Sequence, residues 1–557
     1  MTPSASSSQD AIPSVHSIES SQSSSSSSTR PSIHLEPLPT WRTAKLLPYE
    51  LREHCIIYFE ESLYVPALHL LISLLTSGTA STNPTSAFLP PPQHLALAAT
   101  LAVHPSLTTR AQSEDRLEAS NLALKYLRLV LDLVGPVNGN LSDAFAFATV
   151  ETSSRRGARR RTTGDDLSPT KDELDSINSE LANASSVWAK AQDFWHVVGW
   201  AFNCSLLHPR RWERWQLWLQ YVIDVLDADW TLRAQMRIDD PANEQDPRER
   251  SMIVQYLNSA NTPARQERRI LRAVFADGTS KSTGEFPEVW RNETKERKKD
   301  GDTRKPEAKL DIDANAWGLY TNDSSSSSDL EDTPPPASPP SAVLGTNPLT
   351  PFPDVSAPFG GPYSIILRLR LLSLLSTVSV FLPHTFTPLS TLYNLYLEHI
   401  RPLSVPSFFT LISPSSMQYF HQSAASSITQ IILRSLIASS APLPLTDDLT
   451  QKDLERCYLP YPANTGTIGD NAKVSLCVET LLRLLQGHCG LYWNDGHLRA
   501  AVEQGIEARE QKAKKAGKGR GKGKADGEGE RMWLRASAGR MRALVVLVRG
   551  QEQRPDD

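Results

Sequence analysis

The sequence predicts an all-α fold: an irregular helical bundle or α-solenoid-like set of helical modules, interrupted by long disordered linkers. Three observations lead there. Apolar residues recur at three- and four-residue spacing through several long stretches, with no run of alternating strands. Seven of the twelve tryptophans fall between Trp188 and Trp230, at helical spacing. Between the apolar stretches lie segments rich in serine, proline and blocks of charge. These make up roughly a third of the chain and are too polar to offset their own ordering entropy.

Residues 1–35 are a Ser-rich tail, and 36–150 read as a helical module. Its first part, LPYELREHCIIYFEESLYVPALHLLISLL, reads as two helices broken around Val65-Pro66, and QHLALAATLAV as a third stopped near Pro105. The clearest helix is SEDRLEASNLALKYLRLVLDLVG. Ser113 is positioned to cap it, and Leu117, Leu122, Tyr126, Leu127, Val130, Leu131 and Val134 form its apolar face. Gly135-Pro136 ends it. Residues 151–180 are a basic linker and 181–276 a second module. That module closes on TPARQERRILRAVFADG, with Thr262 as cap, Pro263 at the first helical position and Gly278 beyond the end. Residues 277–361 form an acidic, Pro-rich linker, and 362–506 a third, Leu-rich helical module. Residues 507–530 are a basic Gly/Lys-rich segment, and 531–549 a last amphipathic helix. No fixed repeat period of 34 or about 40 residues is present.

The tryptophan cluster reads as a helical hairpin. On a wheel begun at Trp188, the residues Trp188, Ala191, Trp195, Val198, Phe202 and Leu206 share an arc of roughly 80°. His208-Pro209 breaks the pattern. Beyond it Trp212, Trp215, Trp218, Leu219, Val222, Val225, Leu226 and Trp230 share one face, while Glu213, Gln216, Gln220, Asp224 and Asp227 take the other. Two such helices with a four- or five-residue break make an αα-hairpin. Such aromatic stripes are chiefly core. Trp200 lies roughly 120° round from the stripe, on a face expected to meet solvent or another element. With Arg210, Arg211 and Arg214 close by, it is a partner-binding candidate. Two aromatic islands in the following linker, around Trp290 and around Trp317 with Tyr320, either fold back onto the helices or dock to a partner.

Charge excludes some functions and leaves others open. The net charge of −4 gives no global field toward nucleic acid or membrane. Two local blocks are basic: Arg155, Arg156, Arg159, Arg160 and Arg161 in the first linker, and Lys512, Lys514, Lys515 and Lys518 near the C-terminus. Both suit nuclear import or nucleic-acid phosphate contact, and neither carries interleaved aromatics for base stacking. Thr162 and Thr163 follow arginines. Ser168, Thr333, Ser338 and Thr350 precede prolines, and Ser324 to Ser328 lead into acids. Phosphate there adds roughly −1.5 to −2 charge, enough to offset the arginine block.

Five cysteines at scattered positions, with no CxxC pair, argue against a disulfide framework or zinc ribbon and for reduced thiols in an intracellular protein. The N-terminus has neither the basic nor the apolar region of a signal peptide. Five N-x-S/T sites, Asn140 and Asn203 among them, therefore lack the secretory route they need. The apolar run from Ile365 to Leu382 carries Arg368 and Arg370, and its charge-free part falls short of the roughly 20 residues that span a bilayer. It reads as a buried core helix, and no membrane partner is expected.

Catalytic motifs are missing. AGKGRGKGK resembles a phosphate loop only in composition, because Gly517 and Gly521 stand too close and Gly523 follows Lys522. The one cluster with chemical potential is His488, Cys489, Asp495 and His497 in QGHCGLYWNDGH, a nucleophile or zinc set by type. Nothing elsewhere supports it, and a Gly-rich turn with a buried cysteine is the better reading. Glu60 and Glu61 occupy consecutive helix positions, face apart and read as surface. No cofactor is implied. The expected function is a non-enzymatic helical scaffold or adaptor, nuclear rather than cytoplasmic, binding protein partners and regulated by linker phosphorylation. The alternative is a nucleic-acid-associated protein using its basic blocks as sequence-independent phosphate clamps.

Overall fold

The computed structural model describes residues 41–79, 85–147, 177–239, 245–259, 266–295, 359–445, 448–488, 490–494, 496–517 and 524–552. Among them the chain is all-α, with twenty α-helices and one two-stranded parallel sheet that pairs β1 (Ala44–Leu46) with β2 (Ala87–Leu89).

Helix α1 (Tyr49–Glu60) turns through Glu61–Leu63 into α2 (Tyr64–Thr76). The break lies just before the expected Val65-Pro66, and Pro66 sits in the first turn of α2, where its missing N–H has no helical partner to lose. Burial of Tyr64, Ala67, Leu68, Leu71 and Leu75 gives α2 one apolar stripe. Then come α3 (Pro92–Leu101), α4 (Glu114–Leu133) and the single turn α5 (Leu141–Ala144). Ser113 takes the N-cap position of α4 with extended backbone, but its side chain makes no capping bond. Gly135 ends the helix at φ +79°, and its N–H reaches the Val130 and Leu131 carbonyls.

The tryptophan stretch differs from a simple hairpin. Trp188 lies in its own short helix, α6 (Val187–Lys190). The chain then breaks, and Asp193 caps α7 (Phe194–Leu207) by accepting the His196 N–H. The wheel begun at Trp188 thus spans two helices. Only His208 separates α7 from α8 (Pro209–Asp239), which is shorter than the expected break. Next are α9 (Met252–Asn258), α10 (Gln266–Val274) and α11 (Ser280–Glu285). Thr262 and Pro263 lie outside the described residues.

The third stretch opens with α12 (Pro362–Phe381), followed by α13 (Leu389–Ile400), α14 (Val405–Ile412), α15 (Pro414–Met417), α16 (Gln422–Leu436) and α17 (Gln451–Asp453). A π-helical turn (Leu454–Tyr458) continues α17. It ends with α18 (Ile468–His488), α19 (His497–Gly517) and α20 (Lys524–Glu552). The basic Gly/Lys-rich segment expected at 507–530 is helical through Gly517 and again from Lys524, so the expected last helix is the later part of a longer one.

One contiguous apolar core runs from Leu47 to Val548. Within it α2 and α3 pack on α4, α7 packs between α8 and α10, and α18 gathers α14, α16, α19 and α20 around itself. Helix α12, the one described helix long and apolar enough to cross a membrane, is mostly buried here, as the sequence predicts for a core helix. Its two arginines both have work inside the protein. Arg370 forks onto Asp224 and Asp227 of α8. Arg368, fully buried, donates to the Val274 and Ala276 carbonyls at the C-terminal end of α10. The four described cysteines, Cys55, Cys204, Cys457 and Cys477, are free and buried.

Helix crossings set the tolerance for side chains. A Cβ on Gly505 of α19 meets the Leu459 carbonyl oxygen at 1.7 Å, whereas one on Gly529 of α20 meets nothing within 4 Å. Gly505→Ala is therefore expected to destabilise the protein by about 1–3 kcal/mol. Gly529→Ala should stabilise it by up to about 1 kcal/mol through helix propensity. Urea denaturation midpoints of the two variants check both signs.

Candidate partner-binding site around the tryptophan cluster

The face of α7 opposite its first stripe is covered by the chain itself. Residues 286–295, the first aromatic island of the linker, lie across α7 and the start of α8. Phe286 seats its ring against Gly199, where a Cβ would come within 2.3 Å of it. The Pro287 carbonyl meets His196 Nε2 at 2.9 Å, and Arg110 donates to the Asn292 carbonyl. Because the Gln192 N–H donates to His196 Nδ1, the imidazole is the neutral tautomer with its proton on Nε2.

At the centre of this strap is Glu293, 2% exposed. Its Oε1 accepts from Trp200 Nε1 at 2.7 Å, Arg211 Nε at 2.8 Å and Trp215 Nε1 at 3.0 Å. Its Oε2 accepts from the Trp290 backbone N–H at 3.1 Å. Arg211 Nη1 donates to Thr108 Oγ1, and the guanidinium carbon lies 5.0 Å from the Trp215 ring centroid and 5.8 Å from that of Trp290. The Trp215 and Trp290 rings stack, the His104 ring meets Trp290 edge-on, and Trp290 Nε1 donates to the Ser185 carbonyl. Burial works against a charged carboxylate, but the Arg211 charge and the arginine and indole hydrogen bonds outweigh it. Together they hold Glu293 below the ordinary Glu value. Burial, reinforced by the Arg211 charge, pushes the His104 imidazole down to about 4. His196 is lowered as well, first by burial.

The other indoles are satisfied in the same manner. Trp188 donates to the Ala96 carbonyl, Trp195 to that of Tyr256 and Trp218 to that of Ala99. Trp195, Trp215 and Trp218 are fully buried, each worth about 2–3 kcal/mol of transfer free energy.

These contacts relocate the residues expected to bind a partner. Trp200, at 3% exposure, meets a neighbouring element rather than solvent. Arg211 and Trp290 are buried with it, so the surface expected around them is occupied by the chain's own strap. Of the two readings of the Trp290 island, folding back is the one adopted. Arg214 is half-buried and donates to Asn121 Oδ1, and Arg210 is exposed. Trp317 and the arginines 155, 156, 159, 160 and 161 lie outside the described residues, as does Lys518. Lys512 is tied to the Ala463 and Asn464 carbonyls, Lys514 is exposed beside Glu510, and Lys515 lies in the same helix. Glu293, Thr108 and His104 escaped sequence reasoning. Only the acid's place within an aromatic island marked Glu293 out.

At the QGHCGLYWNDGH cluster, His488 ends α18 and exposed His497 begins α19, while Cys489 and Asp495 lie outside the described residues. Asn494 there caps α19 through the Leu498 N–H and is itself held by Glu455. Among the described residues no group of three His, Cys, Asp or Glu side chains is placed to hold a metal ion. No family model, no curated protein and no solved structure matches this chain.

Removing one partner of a buried ion pair leaves the other uncompensated. Glu293→Ala is expected to cost about 3–5 kcal/mol in urea denaturation, and Arg211→Met in the same chain should recover part of it. Acid weakens the same node. A carboxylate held below its ordinary value stabilises the fold above that value, and the contribution is lost as pH falls through its folded value. His104 and His196, neutral inside, are protonated first in the unfolded chain, so stability falls as pH drops below their ordinary 6.5. The urea midpoint should decline between pH 7 and pH 4, with a shallower slope in His104→Phe.

Proposed function

We propose that this chain is a non-enzymatic helical scaffold or adaptor, resident in the nucleus. It binds protein partners through helix faces on its outside and is regulated by phosphorylation in the linkers 151–180 and 277–361. The observation that carries the reading is the exposure of large apolar side chains on helices whose inner faces are already packed. On α1 these are Tyr49 (64% exposed) and Ile57 (52%), and on α20 Val546 (69%) and Leu547 (63%). Each pair lies within roughly 100° of arc on its helix, and exposed apolar side chains close together mark candidate interaction surfaces. The buried tryptophan node supplies rigidity, and the surfaces elsewhere supply contact.

The alternative, phosphate contact through 155–161 and 512–524, draws support from Lys514, whose side chain is 75% exposed near the C-terminal end of α19. Affinity purification of the native chain, with and without nuclease, separates the two. Stoichiometric protein partners that survive nuclease are expected, and loss of all partners on nuclease treatment would favour the phosphate clamp. For residence, a fluorescent fusion should concentrate in the nucleus and spread to the cytoplasm when Arg155, Arg156, Arg159, Arg160 and Arg161 are changed to Ala.

A further inference from the structure

Helix α20 lies along α18 and α19, and its arginines show how it holds them. Arg540 forks onto Glu479 of α18, with Nε and Nη2 at 2.6 and 2.8 Å from the two carboxylate oxygens. Arg542 forks onto Glu503 of α19 at 2.9 and 2.8 Å. Beneath these bridges Trp533, Leu534, Met541, Val545 and Val548 are buried. Each packed side of the helix thus joins an apolar stripe to an Arg–Glu fork along its edge.

On the outward side, among the described residues, no helix covers Met532, Gly539 or Val546. Met532, Gly539 and Val546 recur at seven-residue intervals, and all three are exposed. A Cβ placed on Gly539 or on Gly550 meets nothing within 4 Å, so the space above this seam is open. Three residues further along the chain from each seam position stands an arginine: Arg535, Arg542 and Arg549, all exposed. Their rise is roughly 10 Å per step, and the row runs about 60° to one side of the seam. The seam has one position per heptad, with glycine at its middle, and is edged by charge at the same spacing. Arg542 is committed to Glu503 of α19, and the Arg549 guanidinium rests 5.6 Å from the Trp493 ring centroid, so the charges this edge presents to a partner are Arg535 and Arg549.

We propose that the outer face of α20 docks an amphipathic helix of a protein partner, one whose apolar stripe covers the Met532–Gly539–Val546 seam and whose carboxylates, at heptad spacing, meet the arginine row. Charge selects this occupant. A second copy of the chain presents the same edge, Arg535 and Arg549 on either side of the Glu503-paired Arg542 with Glu528 as the row's one acid, so self-pairing sets net positive edges together. A nucleic-acid backbone would use the arginines but leave Val546 and Leu547 in water. The proposal rests on the scaffold reading and adds to it the place and the chemistry of the partner.

The test uses the full chain and two labelled 21-residue helical peptides as probes. Both carry leucine at heptad spacing; one has glutamate along the edge that faces the arginine row, the other lysine. Fluorescence anisotropy is expected to show the glutamate peptide binding at least tenfold more tightly, with affinity falling as salt rises. Val546→Glu should weaken it at least tenfold, and Arg535→Glu with Arg549→Glu should reverse the preference toward the lysine peptide. Unchanged circular dichroism and melting temperature confirm that these surface variants fold. Equal binding of both peptides, or of neither, overturns the proposal. So does dimerisation in light scattering that Val546→Glu abolishes, which makes the occupant a second copy. Binding of a 20-base-pair DNA duplex in place of the peptides, lost in the double arginine variant, overturns it as well. If nuclease-resistant partners persist while the peptides fail, the scaffold reading stands and this surface falls.

Discussion

A single buried carboxylate organises the middle of this protein. Glu293 gathers Trp200 from α7, Arg211 and Trp215 from α8 and the Trp290 backbone from its own strap, and Arg211 carries the connection on to Thr108. Each of these groups is costly to bury alone: a charge without its partner, or an indole N–H without an acceptor. Together they satisfy one another at all but the Arg211 Nη2 atom, so the geometry admits few alternatives. The strap's position, the angle between α7 and α8 across the one-residue joint at His208, and the seat of the loop around His104 and Thr108 all follow from that one arrangement.

Buried arginines extend the same logic outward. Arg42 donates to the Leu75, Ser77 and Thr85 carbonyls and so closes the C-terminal end of α2 against β2. Arg368 does this for the end of α10, and Arg509 for the Leu459 and Tyr461 carbonyls that follow the π-turn. A helix end leaves carbonyls without intrahelical partners, and where that end is buried, side chains supply the donors. The planar guanidinium serves several at once. Desolvation draws Arg368 down to about 9 and Arg509 to about 10, so both keep their charge at neutral pH. The helices of this fold are irregular in length and direction, and such tertiary caps at their C-terminal ends stand beside local N-caps such as Asp193 and Asn494. Ser113, whose side chain makes no capping bond, shows the local device left unused.

The surface is built on different terms. Where the interior meets its buried arginines with carbonyls and with Glu293, the outer helices carry arginines and aliphatic side chains side by side, and their forks to glutamate are set at the boundary between the two. The α18–α19–α20 group displays this most clearly: its inner bridges are ordinary tertiary contacts, and its outer face repeats their pattern toward solvent. The scaffold role we propose would draw on such a division, with a rigid node and faces that remain available.

The sequence alone determined the all-α class, because helical periodicity is a local property that survives without knowledge of neighbours. It also determined that the 365–382 run is a core helix, since the two arginines in it need partners only a protein interior provides. The helix stop at Gly135 was legible too, because a left-handed backbone favours glycine whatever surrounds it. What only the tertiary structure decided were the contacts between distant segments. A helical wheel places Trp200 off the stripe of its own helix but cannot say that residues 286–295 return to cover it, some ninety residues later. The sequence marked 507–530 only as basic and Gly/Lys-rich; packing against α18 and the Ala463 and Asn464 carbonyls hold its first part in α19. Periodicity and charge are written residue by residue, whereas burial depends on which surfaces meet, and that is fixed only when the whole chain has closed on its core.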